Sequence, residues 1–280
     1  MTGNGVGEET ARRCYLCGST DQPSVRRIAG HRIAFCATCG LGETQSGEAA
    51  TYDGAYLESL WTGADPSPGQ VKQAVRAERP RVRRIARAAT GRRLLEVGAG
   101  HGYFLEAARR RGFDVAGLDV SSAAAEFCAS RFGVTVRVAP IEDADFAEGA
   151  FDVIAAWHVL EHLADPQAAL DKLASWLAPA GILAVEVPNY ESYDTRVMGE
   201  EWLGWQPKYH RWHFTPRALV RLLDESGFET ERRWSPPSRV ARERLKRIPI
   251  VGLARPILCR FYSSTGFAVI ARVRRDTHSA

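Results

Sequence analysis

The stretch Leu94-Leu95-Glu96-Val97-Gly98-Ala99-Gly100-His101-Gly102 places three alternating glycines after an apolar run and before Tyr103-Phe104-Leu105, where a helical pattern starts. A backbone that must turn sharply and meet a ligand closely between a strand and a helix requires glycine at such positions. The third small position of a dinucleotide fingerprint falls on Tyr103, so the loop suits a pyrophosphate poorly. Asp119 closes the next apolar run, Gly117-Leu118-Asp119, about 20 residues on, where a carboxylate can accept both ribose hydroxyls. Ser121 or Ser122 is then left to cap the following helix.

Apolar periodicity repeats this unit along the chain. Residues 71–89 are helical in pattern, with Pro80 marking a kink or a break. Strands are expected at 93–97, 113–118, 134–138, 151–156 and 181–187, and helices at 103–111, 122–131, 166–178 and 217–226. Segments 228–234 and 266–274 read as two closing antiparallel strands. The expected fold class is α/β: a doubly wound, seven-stranded, mostly parallel sheet, whose ligands bind beyond the carboxyl ends of the strands. Past the third strand, Ile141-Glu142-Asp143 sets an apolar residue and acids where an adenine is covered and its amino group bound, with Glu142 the chosen acid.

Four of the six cysteines form two C-x-x-C pairs, Cys14/Cys17 and Cys36/Cys39, separated by 18 residues and each followed by glycine. That spacing predicts a small four-thiolate zinc ribbon with a hairpin between the pairs; with every position taken by sulfur, the Zn2+ is structural. Residues 1–50 are assigned to this module, 51–70 to a linker or lid, and 71–275 to the main domain with insertions at 188–215 and 235–265. The net charge of +4 is spread along the 280 residues, which disfavours a nucleic-acid partner, and no 18-residue apolar run or signal-like start is present, so a cytoplasmic protein is expected.

The ordered segments Glu96-Val-Gly-Ala-Gly-His-Gly, Gly-Leu-Asp119-Val-Ser, Phe151-Asp152-Val-Ile, His158-Val-Leu-Glu161-His162-Leu-Ala-Asp165-Pro and Leu177-Ala-Pro-Ala-Gly181 resemble class I S-adenosylmethionine (SAM)-dependent methyltransferases, in the small-molecule branch that carries H-V-L-E-H-L after the fourth strand. The resemblance implies the Rossmann-like methyltransferase fold, SAM as cofactor, Glu96 as holder of the methionine amino group, and Trp157 and His158 as lining of the methyl-donor site. From the residues alone, Glu161 and His162 are neighbours that face different ways on a helix, and no metal is expected there.

The acceptor side is expected from Tyr52 to Tyr56, with Tyr56 also placed at the cofactor, and from the insertion Trp202-Leu-Gly-Trp205-Gln-Pro-Lys208-Tyr209-His210-Arg211-Trp212-His213-Phe214, whose aromatic and titratable density exceeds what core packing selects. The N-terminal pairs and this insertion resemble zinc-bearing sugar C-methyltransferases, in which an E-H-x-x-Y-F-S segment follows strand five. His210 falls on that histidine, but Tyr209 replaces the acid, His213 replaces the tyrosine, and the large second C-terminal domain of those enzymes is not expected here. The departures point to a hydroxyl of a sugar, glycan or natural-product intermediate, with His210 as general base and His213 or His158 as alternatives. Sugar C-methylation and RNA methylation are the competing readings. The basic, then apolar, stretch 239–259 reads as a lid or plain packing, with peripheral membrane contact as a second reading.

Overall fold

The computed structural model describes residues 13–45, 65–246 and 265–274. Tyr52 to Tyr56, and Cys259 with the apolar part of 239–259, lie outside them.

An N-terminal hairpin, β1 (Ser24–Ile28) and β2 (His31–Phe35), is followed by β3 (Gly42–Gln45) and α1 (Pro68–Ala86). The main domain runs β4 (Arg93–Val97), α2 (Tyr103–Arg109), β5 (Asp114–Asp119), α3 (Ser122–Phe132), β6 (Val136–Val138), β7 (Phe151–Trp157), α4 (Pro166–Trp176) and β8 (Leu177–Pro188). After α5 (Tyr193–Met198) come β9 (Trp212–His213), α6 (Pro216–Glu225), β10 (Phe228–Trp234), α7 (Arg239–Lys246) and β11 (Gly266–Val273).

The seven-stranded sheet has the order β10-β11-β8-β7-β4-β5-β6. Its five strands from β8 to β6 are parallel and β11 is antiparallel to both neighbours. The chain winds outward in both directions from β4, so the glycine loop after β4 sits at the point where the strand order reverses, where such sheets open a crevice.

Local chemistry sets the helix ends. Ser67 and Gln70 form a reciprocal capping box ahead of Pro68, and Ser121, Asp165 and Thr215 each accept from a backbone N–H three residues on. The break expected at Pro80 is absent: α1 runs through it, because Val71, Val75, Val82 and Ile85 bury one continuous face. α4 stops at Trp176 rather than 178, since Leu177 is already extended ahead of Pro179. α6 buries Ala218, Leu219, Leu222 and Leu223. Leu219 is fully buried, so Leu219→Ala is expected to lower unfolding free energy by about 2–5 kcal/mol, read by denaturant melts.

A second, four-stranded sheet, β1-β2-β3-β9, joins the N-terminal module to the insertion after β8. β9 is too short to be read from sequence, yet it decides how the module sits: Gly42 pairs with His213 and Glu43 with Trp212. A Cβ at Gly42 would lie 2.8 Å from the Phe35 ring and 3.0 Å from the His213 Cβ, so β3 slots between its neighbours only as glycine. The aromatic density of the insertion, expected to exceed the needs of a core, is in large part core. Trp202 and Trp205 pack with Ile28, Ile33 and Phe35, and Trp212 and Phe214 join the main cluster with Leu16, Cys39 and Leu41. The hairpin is too small to bury its own apolar face and borrows these rings.

Candidate active site and cysteine cluster

A cavity of about 1110 Å³ opens at the carboxyl ends of β4, β5 and β7. One end is lined by Gly98, Gly100, Asp119, Ile141 and Glu142, the other by His158, Glu161, His162, Tyr209 and His210, with Glu43 and Thr44 of β3 in the same wall. The structure therefore brings six of the sequence-assigned residues, Gly98, Gly100, Asp119, Glu142, His158 and His210, onto one surface. Glu96, Gly102, Trp157 and His213 lie behind that lining.

The glycine loop is shaped by left-handed backbone at Gly98, Gly100 and Gly102, with φ of 72°, 49° and 66°. A Cβ at Gly98 would press on Val159 at 2.8 Å and one at Gly102 on Cys128 Sγ at 2.6 Å, whereas nothing lies within 4 Å of one at Gly100. Gly100 thus faces the open crevice. Its N–H donates to Asp119 Oδ2 at 2.8 Å, and Ser121 N–H donates to Oδ1 at 2.9 Å, so the carboxylate is oriented while each oxygen keeps a lone pair. Beneath the loop, Glu96 is buried, its Oε2 has no hydrogen-bond partner, and burial pushes its carboxyl well above the ordinary range. An ammonium brought to it would satisfy the orphaned oxygen. Lys172 Nζ donates to the carbonyls of Ile141 (3.2 Å) and Ala144 (2.9 Å), clamping the turn that presents Ile141 and Glu142.

The segment after β7 is a turn, not a helix. His158 enters it in the left-handed region, φ 57°, with Nδ1 at 3.2 Å from Glu161 Oε1 and Nε2 at 3.5 Å from Glu186 Oε1. Burial works against charge on this ring, but the two carboxylates push its pKa up to about 10. Arg81 holds Glu186 at 2.9 Å and stacks on Trp157, 4.9 Å from its centroid. The carboxylates on either side favour the protonated ring and face both of its nitrogens, which leaves His158 poorly suited to accept a proton.

His213 donates to Thr44 Oγ1 at 2.8 Å while Thr44 donates to the His210 carbonyl at 2.9 Å. Burial lowers the His213 pKa to about 3. It fastens β3 to β9 and does not reach the cavity. His210 is different: Nδ1 donates to the Gly204 carbonyl at 3.0 Å, burial lowers its pKa to about 4, and the ring lines the cavity in edge contact with His162. Of the three candidate histidines, this one alone is both neutral and on the cavity wall, while its lowered pKa makes it a weaker proton acceptor than a free imidazole.

The four thiolate residues converge as their spacing predicts. Cys14 and Cys39 Sγ are 3.6 Å apart, Cys17 and Cys36 Sγ 3.5 Å, and all four lie within 4.8 Å of one another. Each knuckle closes with an N–H from the trailing glycine, Gly18 to the Cys14 carbonyl and Gly40 to that of Cys36. The donor set fits a tetrahedral soft-ligand ion. Tyr15 ties the first knuckle to the domain, donating to Asp165 Oδ1 at 2.6 Å and packing at a tilt on Trp212 with ring centroids 4.5 Å apart. Arg217 donates to the Cys39 carbonyl from α6.

Sequence reasoning set the Glu161-His162 pair aside as a metal motif and left out Glu186, Arg81, Thr44 and Lys172. The inward face of β8, with Glu186 in an otherwise apolar run, was a readable signal; the others depend on long-range pairing.

A glycine loop at the switch point, an oriented carboxylate after the next strand and an orphaned acid beneath the loop define the cofactor pocket of a class I SAM-dependent methyltransferase fold. The methyltransferase-domain family matches residues 69–232, more than half of the chain, and the chain belongs to it. It is similar to the ubiquinone biosynthesis O-methyltransferase of Nitrobacter winogradskyi, 35% identical over 148 residues, 49% of this chain and 56% of that protein. The corresponding protein of Cereibacter sphaeroides is 34% identical over 150 residues, 50% of this chain and 61% of that one. The chain thus spans somewhat over half the length of these curated relatives. Among solved structures, a Burkholderia thailandensis 1,6-didemethyltoxoflavin-N1-methyltransferase, bound to 1,6-didemethyltoxoflavin and S-adenosylhomocysteine, covers 91% of this chain and 100% of its own at TM-score 0.55 and 19% identity. A SAM-dependent methyltransferase from Archaeoglobus fulgidus covers 78% of this chain and 99% of its own at TM-score 0.52 and 21% identity. These two likenesses are of fold.

Proposed function

We propose that the chain transfers the methyl group of SAM to a hydroxyl of a small natural-product intermediate with a largely apolar body, and that Cys14, Cys17, Cys36 and Cys39 hold a structural Zn2+. The observation that carries the reading is the single cavity joining the glycine loop and Asp119 to His210, with volume for a cofactor and an acceptor together. Asp119 takes the ribose hydroxyls, Glu96 the methionine ammonium, and Ile141 with Glu142 the adenine.

On the acceptor side Leu163, Ala164, Leu203, Pro207 and Tyr209 give walls suited to a ring-bearing molecule. The similarity to ubiquinone biosynthesis O-methyltransferases supports a hydroxyl as the reacting group. A sugar hydroxyl is the second reading, favoured by the resemblance carried by the cysteine pairs. SAM supplies the electrophilic methyl; the chain holds donor and acceptor in line and excludes water. Of the chain's groups, His210 receives the hydroxyl proton, its Nδ1–H fixed by Gly204 so that Nε2 is the accepting atom.

His210→Gln is expected to lower turnover by about 100-fold or more, with SAM affinity unchanged by calorimetry. Unchanged turnover overturns the assignment of the base.

A further inference from the structure

The turn after β7 and the loop before β9 meet at Glu161, His162 and His210. We propose that these three residues form a second metal site, for a divalent first-row cation such as Zn2+ or Mn2+, on the acceptor side of the cavity. It rests on the reading of that end of the cavity as the acceptor pocket.

One ligand atom from each residue lies within 4.8 Å of the others, a span that bonds of about 2.1 Å close with small side-chain rotations. Glu161 is fully buried; its Oε1 is held by His158 and its Oε2 has no hydrogen-bond partner. A buried carboxylate oxygen without a partner is costly, and a cation satisfies it.

Each histidine already spends one nitrogen on a backbone carbonyl: His162 Nδ1 on Tyr209 at 3.1 Å and His210 Nδ1 on Gly204 at 3.0 Å. That is the outer-shell arrangement which fixes a ligating imidazole and assigns Nε2 to the ion. The scaffold is rigid as well, since Trp212 N–H donates to the Glu161 carbonyl at 3.0 Å and its indole to the Leu163 carbonyl at 2.8 Å.

Nitrogen and oxygen donors set this site apart from the four thiolates of the N-terminal module and favour a harder ion. Three protein ligands leave coordination positions open toward the cavity, where an acceptor hydroxyl can bind. With the cation bound, His210 Nε2 is taken by the ion, which polarises the acceptor hydroxyl so that its O–H breaks more readily and its proton passes to solvent; His210 receives that proton only in the metal-free form. The oxygen then bonds the methyl carbon as the carbon–sulfur pair returns to sulfur.

Full-length protein retaining its N-terminal zinc is titrated with Co2+ while absorption is recorded. Thiolate charge-transfer bands report any exchange into the cysteine site, and weak d–d bands alone report nitrogen and oxygen ligation. One further equivalent without thiolate bands is expected. It should weaken by at least about tenfold in Glu161→Gln and in His162→Gln, with SAM heats preserved as the measure of folding. Uptake confined to the thiolate site, or uptake unaltered in both variants, overturns the proposal. Hydroxyl methylation undiminished when the second equivalent is removed by chelation upholds the proposed reaction and overturns the site's role in it. A second equivalent lost in both variants, with no hydroxyl product from any acceptor, upholds the site and overturns the reaction.

Discussion

Cys39→Ser is expected to unfold the N-terminal module, lower the melting temperature by about 10 °C or more, and reduce methyl transfer by about 100-fold, while SAM binding changes little. A structural four-thiolate zinc contributes folding free energy on the order of 10 kcal/mol in isolated modules, and one missing thiolate forfeits much of it. The loss does not stay local. Cys39 and Leu41 belong to the main core cluster, and Thr44 donates to the His210 carbonyl with both its hydroxyl and its strand anchored there: its N–H donates to the Arg211 carbonyl at 2.9 Å. Without the module, the wall that positions His210 loses β3. Chelation that leaves the melting curve and the transfer rate unchanged would show that the cysteines hold no structural ion.

The second large effect falls on the cofactor. Asp119→Ala is expected to weaken SAM by about 100-fold or more, with Asp119→Asn intermediate. A hydrogen bond to a charged group contributes about 1.5–3 kcal/mol, and each 1.4 kcal/mol is tenfold in affinity. Besides the ribose contacts proposed for it, the carboxylate holds the Gly100 amide at 2.8 Å, so removing it frees a loop position that faces the open crevice. Asparagine keeps one carbonyl acceptor and loses the charge. Calorimetric titration of the two variants reads both losses; wild-type affinity in Asp119→Ala would place the ribose elsewhere.

The cofactor half was legible because its signals are local. Gly98 to Gly102, Asp119 and the capping residues Ser121 and Thr215 each act within a few residues of chain, through backbone freedom or a cap. The convergence of the cysteine quartet was legible because two C-x-x-C pairs followed by glycine form turns that aim their sulfurs at one point. The acceptor half was not. Glu161, His162 and His210 were separated by the assumption of a helix where the chain makes a turn, and β9, two residues long, carries no periodicity. Trp202, Trp205, Trp212 and Phe214 looked functional because the N-terminal segments they bury against lie more than 160 residues earlier. Likewise His158 looked like a base until Glu186, on a strand a whole βα unit away, took its second nitrogen.

The central claim, methyl transfer from SAM to a small-molecule hydroxyl, is tested most directly with SAM carrying an isotopic label in its methyl group. The full-length protein is incubated with labelled SAM and a fractionated small-molecule extract, and products are resolved by mass spectrometry and NMR. The account predicts a labelled methoxy group on a small, largely apolar molecule, absent with Asp119→Ala. Label on carbon or nitrogen, label confined to macromolecules, or SAM bound without any transfer would contradict it.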